Sequence, residues 1–206
     1  TEALRAKSAT VIEYPLVSFS ELDLSDQHHQ IIVGIKTNDW LIFTSANAVH
    51  FANKLFAKLN LKIADYKIAV IGEQTAKAVI GAEAEVSFVA SESIADSFVD
   101  ELFSDDKKDN SFYLFCAEQY TKEPFDRKRN DGFSIVDVSV YRNVIPESCF
   151  SQIDTLLSVI GAPPYAKKDR VDMIIFFSGS AVRHFIEVLK SQKQVKIDTW
   201  LPCILG

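Results

Sequence analysis

Polar and apolar positions along the chain fall into two rhythms, and the rhythms take turns. Short, nearly continuous apolar runs occur at Trp40 to Phe43, Lys67 to Ile71, Phe112 to Cys116, Asp172 to Phe177 and Trp200 to Leu205. Runs of this length and composition predict strands buried on both faces. Ser134 to Tyr141 alternates, with Ile135, Val136, Val138, Val140 and Tyr141 set among polar residues, and predicts a further strand. Thr10 to Tyr14 reads as a strand, continued in extended form by Pro15 to Phe19. Between the strands the spacing becomes helical. Asn47 to Leu59 carries Val49, Ala52, Leu55, Phe56 and Leu59 on one face, and Ser93 to Phe103 carries Ile94, Phe98, Val99 and Leu102. Glu73 to Ile80, Ser148 to Val159 and Ala181 to Leu189 complete the helices, with Gly81 placed as a C-terminal cap. Alternating β and α segments with apolar strands predict an α/β protein whose parallel sheets are covered on both faces.

One phrase occurs twice. Asp39-Trp-Leu-Ile-Phe-Thr-Ser45-Ala-Asn-Ala-Val49 returns as Asp172-Met-Ile-Ile-Phe-Phe-Ser178-Gly-Ser-Ala-Val182, and each copy is followed by an apolar run ending in Gly, at Gly72 and Gly206. A repeated strand–loop–helix unit predicts two similar halves. Because a full set of α/β units separates the copies, the middle of the chain forms one domain and its two ends come together as the other. Ser104 to Asn110 and Gly161 to Asp169, with Pro163-Pro164, are loops within this plan.

Charge and composition narrow the chemistry. The net charge of −6 argues against general nucleic-acid binding, and Arg127-Lys128-Arg129 sits among Glu123, Asp126 and Asp131 as a solvated helix face. No apolar stretch is long enough to span a bilayer, and no export signal opens the chain, so no membrane partner is expected. Cys116, Cys149 and Cys203 are few, far apart and without redox or metal spacing, which suits a reducing cytoplasm. His28-His29, in a polar connection or helix start, form no ligand set with His50 and His184, and no metal is expected.

The candidate chemistry lies in the repeated loops. In an open α/β sheet, ligands bind beyond the carboxyl ends of the strands. Ser45 and Ser178 each end a strand and open a helix, and Asn47 and Ser180 are good capping types. The loop at Ile71-Gly72-Glu-Gln-Thr75-Ala76 is of the same kind, with Gly72 allowing close backbone approach and Thr75 adding a hydroxyl. Helix N-termini bind anions without Lys or Arg, so these loops suit a ligand with several carboxylates. A serine at such a turn is often only a cap; two matching copies strengthen the functional reading. No Gly-x-Ser-x-Gly, phosphate-loop or dinucleotide fingerprint occurs. No cofactor is expected.

These residues carry a resemblance. Asp39-x-Leu-Ile-Phe-Thr-Ser-Ala-Asn-Ala-Val49, Ile71-Gly72-x-x-Thr75-Ala76 with Gly81, Val138-Ser-Val-Tyr141-Arg142 and Phe176-Phe-Ser-Gly-Ser-Ala-Val182 come in the order and spacing of the uroporphyrinogen-III synthase family, which the chain resembles over nearly its whole length. Ile204-Leu-Gly206 is similar to the start of the family's last Gly-Pro-Thr loop. The resemblance implies two flavodoxin-like domains joined by a two-stranded β connector, with a site in the cleft between them. On this chain it implies a discontinuous domain of residues 1–16 plus 144–206, incomplete at both ends, a domain of residues 20–137, and connector strands at 16–19 and 138–143. It implies a cofactor-free hydro-lyase that cyclises hydroxymethylbilane to uroporphyrinogen III, with inversion of ring D through a spiro intermediate, and acts as a cytoplasmic monomer. Tyr141 matches the tyrosine thought to assist departure of the hydroxyl; an aromatic in an alternating strand can equally be packing. Ser45, Ala46, Ser178, Gly179 and Ser180 match substrate-contacting loops, with Thr75 a looser match.

Three departures from the family pattern stand out. A first strand with its Arg is missing before Thr1, and the last loop's Thr and following helix are missing after Gly206. Ala117-Glu118-Gln119 stands where Gly or Arg is common, and a glutamate there repels a polycarboxylate. Two other functions remain open at this level. One is a non-enzymatic two-domain small-molecule-binding protein, built like periplasmic solute receptors, which an upstream export signal would favour. The other is a flavodoxin-like signalling or flavin module, which a visible flavin spectrum would favour.

Overall fold

A computed structural model of the protein describes residues 2–23, 25–92, 94–103, 108–152, 154–155 and 173–191. The chain divides into two compact units, residues 19–142 and residues 1–18 with 143–206. The predicted strand at Trp200 to Leu205 and most of the predicted helix after Ser148 lie outside the described residues.

In chain order the described elements are α1 (Glu2–Arg5), β1 (Ser18–Glu21), α2 (Asp26–Val33), β2 (Trp40–Phe43), α3 (Ala46–Lys58), β3 (Lys67–Val70), α4 (Glu73–Gly81), β4 (Phe88–Val89), α5 (Ala95–Leu102), β5 (Ser111–Ala117), α6 (Glu123–Asn130), β6 (Ser134–Val144), α7 (Glu147–Ser151) and α8 (Gly179–Lys190). One sheet has the order β1-β6-β5-β2-β3-β4, and β2, β3, β4, β5 and β6 pair in parallel. Counted from β2, the five parallel strands run 3-2-1-4-5. This is the doubly wound dinucleotide-domain order, not the 2-1-3-4-5 order of flavodoxin itself.

The continuous apolar strands work because each residue has a core to enter on its own side. Leu41, Phe43, Ile68, Val70 and Phe115 join Ala48, Val49, Ala52, Leu55 and Phe56 of α3 and Val79 of α4 on one face. Trp40, Ile42, Ala69, Phe112, Leu114 and Cys116 join Phe98, Val99 and Leu102 of α5 and Phe125 on the other. Every residue of β2 is buried, which explains its lack of alternation.

Asp39, the first residue of the repeated phrase, gains a structural reason. Its buried carboxylate accepts the Lys36 N–H at 2.9 Å and the Ser111 N–H at 3.4 Å, tying the start of β2 to the start of β5. Asp39→Ala leaves two backbone donors without this acceptor and is expected to cost about 1–3 kcal/mol, read from the urea midpoint.

Other expectations are corrected. Thr10 to Tyr14 is not a strand, and Ile12 is exposed. Residues 173–177 are not a strand either, and Met173 and Phe177 are 74% and 89% exposed. Strand composition becomes a strand only when a neighbour supplies ladder hydrogen bonds, and among the described residues none lies beside either segment. His28 and His29, by contrast, lie in the first turn of α2, the helix start that is one of the two sequence readings for them.

In the smaller unit, α8 and α7 hold the extended N-terminal segment. His184 donates from Nδ1 to the Leu16 carbonyl at 2.7 Å, Tyr14 donates to the Cys149 carbonyl at 2.7 Å, and the Cys149 thiol donates to the Pro15 carbonyl at 3.0 Å.

Candidate active site

Ser45 adopts φ −157°, ψ 154°, and its Oγ accepts the Ala48 N–H at 3.1 Å. Ser178 adopts φ −159°, ψ 155°, and its Oγ accepts the Ala181 N–H at 3.2 Å. The two copies of the phrase therefore build the same capped helix start, although only the first follows a strand. Each cap satisfies one orphan amide of its first turn and leaves earlier ones directed outward. In the first copy these belong to exposed Ala46 and half-buried Asn47, and in the second to Gly179 and Ser180. Ser180 Oγ also accepts from Asn143 at 3.2 Å and from Arg183 at 3.0 Å.

The third loop opens α4. Gly72 holds φ 78°, ψ 156°, a conformation that a Cβ would strain, and it stands as the N-cap with no side chain of its own. Thr75 is 4% exposed, so its side chain is packed away from solvent. What this loop presents is backbone from Gly72, Glu73 and Gln74.

The Ser45 and Gly72 loops share the carboxyl edge of the parallel strands. The chain leaves β2 toward β3 on one side, then returns from β4 to pair β5 on the other side of β2. The topological switch point falls between β2 and β5, where doubly wound sheets place ligands. Ser45 follows β2 there.

Tyr141 comes to the same place because of a single irregularity. Strands β5 and β6 pair in register from Ser111↔Ser134 to Cys116↔Ser139, then Ala117 pairs with Tyr141, skipping Val140. A bulge of this kind inserts one residue and moves the later residues of the strand to the opposite face. Val138, Val140 and Tyr141 consequently all enter the core on the α3 side, although strict alternation would send Tyr141 to the other. There its ring stacks on Phe51 of α3 at 5.3 Å and 14°, and meets Phe19 edge-on at 5.7 Å. The Tyr141 hydroxyl lies 3.2 Å from Ser45 Oγ. The tyrosine and first serine loop singled out from sequence are thus brought together.

The loop after β5 is closely tied to this strand. The Glu118 N–H donates to the Tyr141 carbonyl at 2.8 Å, and the Glu118 carboxylate faces the Arg142 guanidinium at 3.9 Å. The neighbouring cation offsets part of the repulsion that this glutamate poses to an anionic ligand. Sequence reasoning misses Arg142 as that partner, because only the bulged pairing brings it beside the loop.

The basic stretch in α6 is engaged elsewhere. Arg127 pairs with Asp96 and Glu123, Lys128 with Asp100 at 2.8 Å, and Arg129 with Asp126 and Asp137. Among the described residues no group of three or more His, Cys, Asp or Glu is placed to hold a metal ion. No helix among them is long and apolar enough to cross a membrane.

Cys116 is buried in the far core, and desolvation pushes its thiol up from 9.0 to about 12. At pH 8 iodoacetamide is expected to label Cys116 only on unfolding, as peptide mapping would show. Because the folded value is the raised one, this thiol's contribution to stability is complete below pH 9 and disappears as pH rises toward 12.

Comparison with known proteins agrees with this architecture. The family model described as uroporphyrinogen-III synthase HemD matches residues 1–203. The uroporphyrinogen-III synthase of Synechococcus elongatus is 28% identical over 193 residues, covering 91% of this chain and 69% of its own length. A uroporphyrinogen-III synthetase from Helicobacter pylori superposes with a TM-score of 0.56 at 19% identity, covering 88% of this chain and 75% of its own. A mutant uroporphyrinogen III synthase from Thermus thermophilus gives 0.54 at 17% identity, covering 76% of this chain. This chain spans 63% of the length of that Thermus protein. At these identities the two structures speak to the fold, an α/β architecture with a parallel sheet, while the family match speaks to descent. With that match running through the Ser45, Gly72, Tyr141 and Ser178 loops, the chain belongs to the uroporphyrinogen-III synthase family of tetrapyrrole-forming lyases.

Proposed function

We propose that this chain is itself a uroporphyrinogen-III synthase, cyclising hydroxymethylbilane to uroporphyrinogen III with inversion of ring D and loss of water. The observation that carries the reading is the Tyr141 phenol, held at the switch-point edge of the sheet within 3.2 Å of Ser45. Tyr141 is the acid. As the bond between the terminal carbon and its hydroxyl breaks, the electron pair leaves with oxygen and the phenol proton completes a water molecule. The pyrrole that forms the new carbon–carbon bond later releases a proton, which restores the phenol.

Binding falls to backbone donors. The outward amides of Ala46 and Asn47, of Gly179 and Ser180, and of the Gly72 loop hold acetate and propionate groups, an assignment supported by the matched cap geometry of Ser45 and Ser178. Thr75, being buried, contributes to the shape of its loop and not through its hydroxyl. Preorganised donors cost no reorganisation when charge develops, which suits a reaction whose substrate carries its own leaving group.

The layout we propose keeps residues 1–16 with 144–206 as one domain, 20–137 as the other, and 16–19 with 138–143 as the connector. Support comes from the division into compact units at Ser18/Phe19 and Arg142/Asn143, and from β1 lying beside β6. A cytoplasmic monomer is the proposed state, consistent with Cys116 and Cys149 being free and buried among the described residues; light scattering at the chain mass tests the monomer. Hydroxymethylbilane is to be added to the protein and the uroporphyrinogen isomers separated. Isomer III beyond the uncatalysed background is the expected result; isomer I alone would remove the enzyme reading and leave a binding role.

A further inference from the structure

Ser45 has a second use that its place in a binding loop does not explain. Its Oγ accepts the Ala48 N–H at 3.1 Å and lies 3.2 Å from the Tyr141 hydroxyl. A serine hydroxyl has one proton to give and lone pairs to receive. The amide at Ala48 has no choice of direction, so it occupies a lone pair of Ser45. The Ser45 proton is then free to point along the other hydrogen bond described for this oxygen, toward Tyr141.

We infer that Ser45 is a positioning residue that donates its proton to the Tyr141 oxygen, so that Tyr141's own proton is left free for the departing hydroxyl. The inference rests on the proposed synthase reading and on Tyr141 as its acid. The chain of donors runs from the Ala48 amide to Ser45 Oγ, from Ser45 to the Tyr141 oxygen, and from Tyr141 to the leaving oxygen. Each bond polarises the next, and the positive end of α3 stands behind the first. When Tyr141 gives up its proton, the phenolate that remains already has a donor in place. No atom is added to the balance: the leaving hydroxyl takes the Tyr141 proton and departs as water with the bonding electrons, Ser45 keeps its own proton, and the pyrrole proton released at ring closure returns to Tyr141.

Geometry supports a fixed relay. Tyr141 is 7% exposed and its ring is clamped by Phe51 from α3, the same helix that Ser45 caps. Movement of α3 carries Ser45 and Phe51 together, so the hydroxyl pair keeps its distance. The second serine loop differs among the described residues: the hydroxyl contact of Ser178 is with the Ala181 amide, and the Asn143 contact falls on Ser180. The relay belongs to the first copy of the repeat.

The test is a cycle of wild type, Ser45→Ala, Tyr141→Phe and the double variant, with kcat and KM measured for isomer III formation. Ser45→Ala is expected to lower kcat about tenfold with KM within about twofold. In the Tyr141→Phe background the same change is expected to lower kcat less than about twofold, because Ser45 acts through the phenol. Ser45→Thr keeps both the cap and the donor and restores kcat to within about threefold of wild type. Ser45→Asp keeps the cap acceptor but has no proton to give at neutral pH, and is expected to stay as slow as Ser45→Ala. Equal losses in both backgrounds, rescue of kcat by Asp, or a rise in KM at unchanged kcat each overturn the relay. Wild-type protein that yields isomer I alone, or a Tyr141→Phe variant with full kcat, instead overturns the reading on which it rests.

Discussion

Tyr141→Phe is expected to lower kcat for uroporphyrinogen III by about 10²-fold or more while KM moves little, since a positioned acid acts in the transition state and not in ground-state binding. The substitution removes one oxygen and keeps the ring. Stacking on Phe51 and the edge contact with Phe19 survive, so the fold should tolerate it. The measurement is initial rate against hydroxymethylbilane concentration, with the isomers separated. Thermal unfolding of the same variant serves as the control. A variant that loses kcat while its midpoint stays within a few degrees of wild type places the effect in chemistry. One with undiminished kcat removes Tyr141 from the mechanism and makes its burial simply packing.

Phe115→Ala is expected to have the largest effect on stability, about 3–5 kcal/mol by urea unfolding. Phe115 is fully buried in β5, directly across from Phe43 of β2, and its ring lies 5.4 Å from that of Phe43 and 5.6 Å from that of Phe56. It therefore joins the two strands that flank the switch point to the helix that Ser45 caps. Truncation opens a cavity that the neighbouring rings cannot close without leaving their rotamers. Ile80→Ala, at a position 65% exposed in α4, is the contrast and should fall within about 0.5 kcal/mol of wild type. A loss below about 1 kcal/mol at Phe115 would contradict the packing described for this core.

Much of the larger unit was legible from periodicity. Trp40 to Phe43 and Phe112 to Cys116 are strands because apolar side chains on successive residues need a core on each side, and α3, α4, α5 and α6 provide both. The α3 face, with Val49, Ala52, Leu55 and Phe56, packs as its spacing indicates. The helices open at the two serine loops as read, but the caps are Ser45 and Ser178, two residues before the capping types Asn47 and Ser180, which lie inside the first turn. The same reasoning fails at Thr10 to Tyr14 and at residues 173–177. Strand propensity is a statement about side chains on a pleated surface, and it says nothing about whether a neighbouring strand is present. It also misses the full extent of α2, where Ile32 is fully buried but the polar residues before it mask the pattern.

The candidate site divides in the same way. Sequence alone determined that helices open at the two serine loops and that no phosphate or dinucleotide fingerprint occurs, because these depend on a few consecutive residues. The exact caps at Ser45 and Ser178 and the positive φ that requires glycine at position 72 came with the structure. The tertiary structure decided which face Tyr141 occupies. Its neighbours Val138 and Val140 share one phase of the strand and Tyr141 the other, and only the bulge opposite Ala117 brings all three to the side of α3. The same pairing set Arg142 beside Glu118 and turned a lone acid into half of an ion pair. Burial of Thr75 was likewise decided by how α4 rests on the sheet. Register and bulges arise from contacts between strands distant in the chain, so no window of consecutive residues contains them.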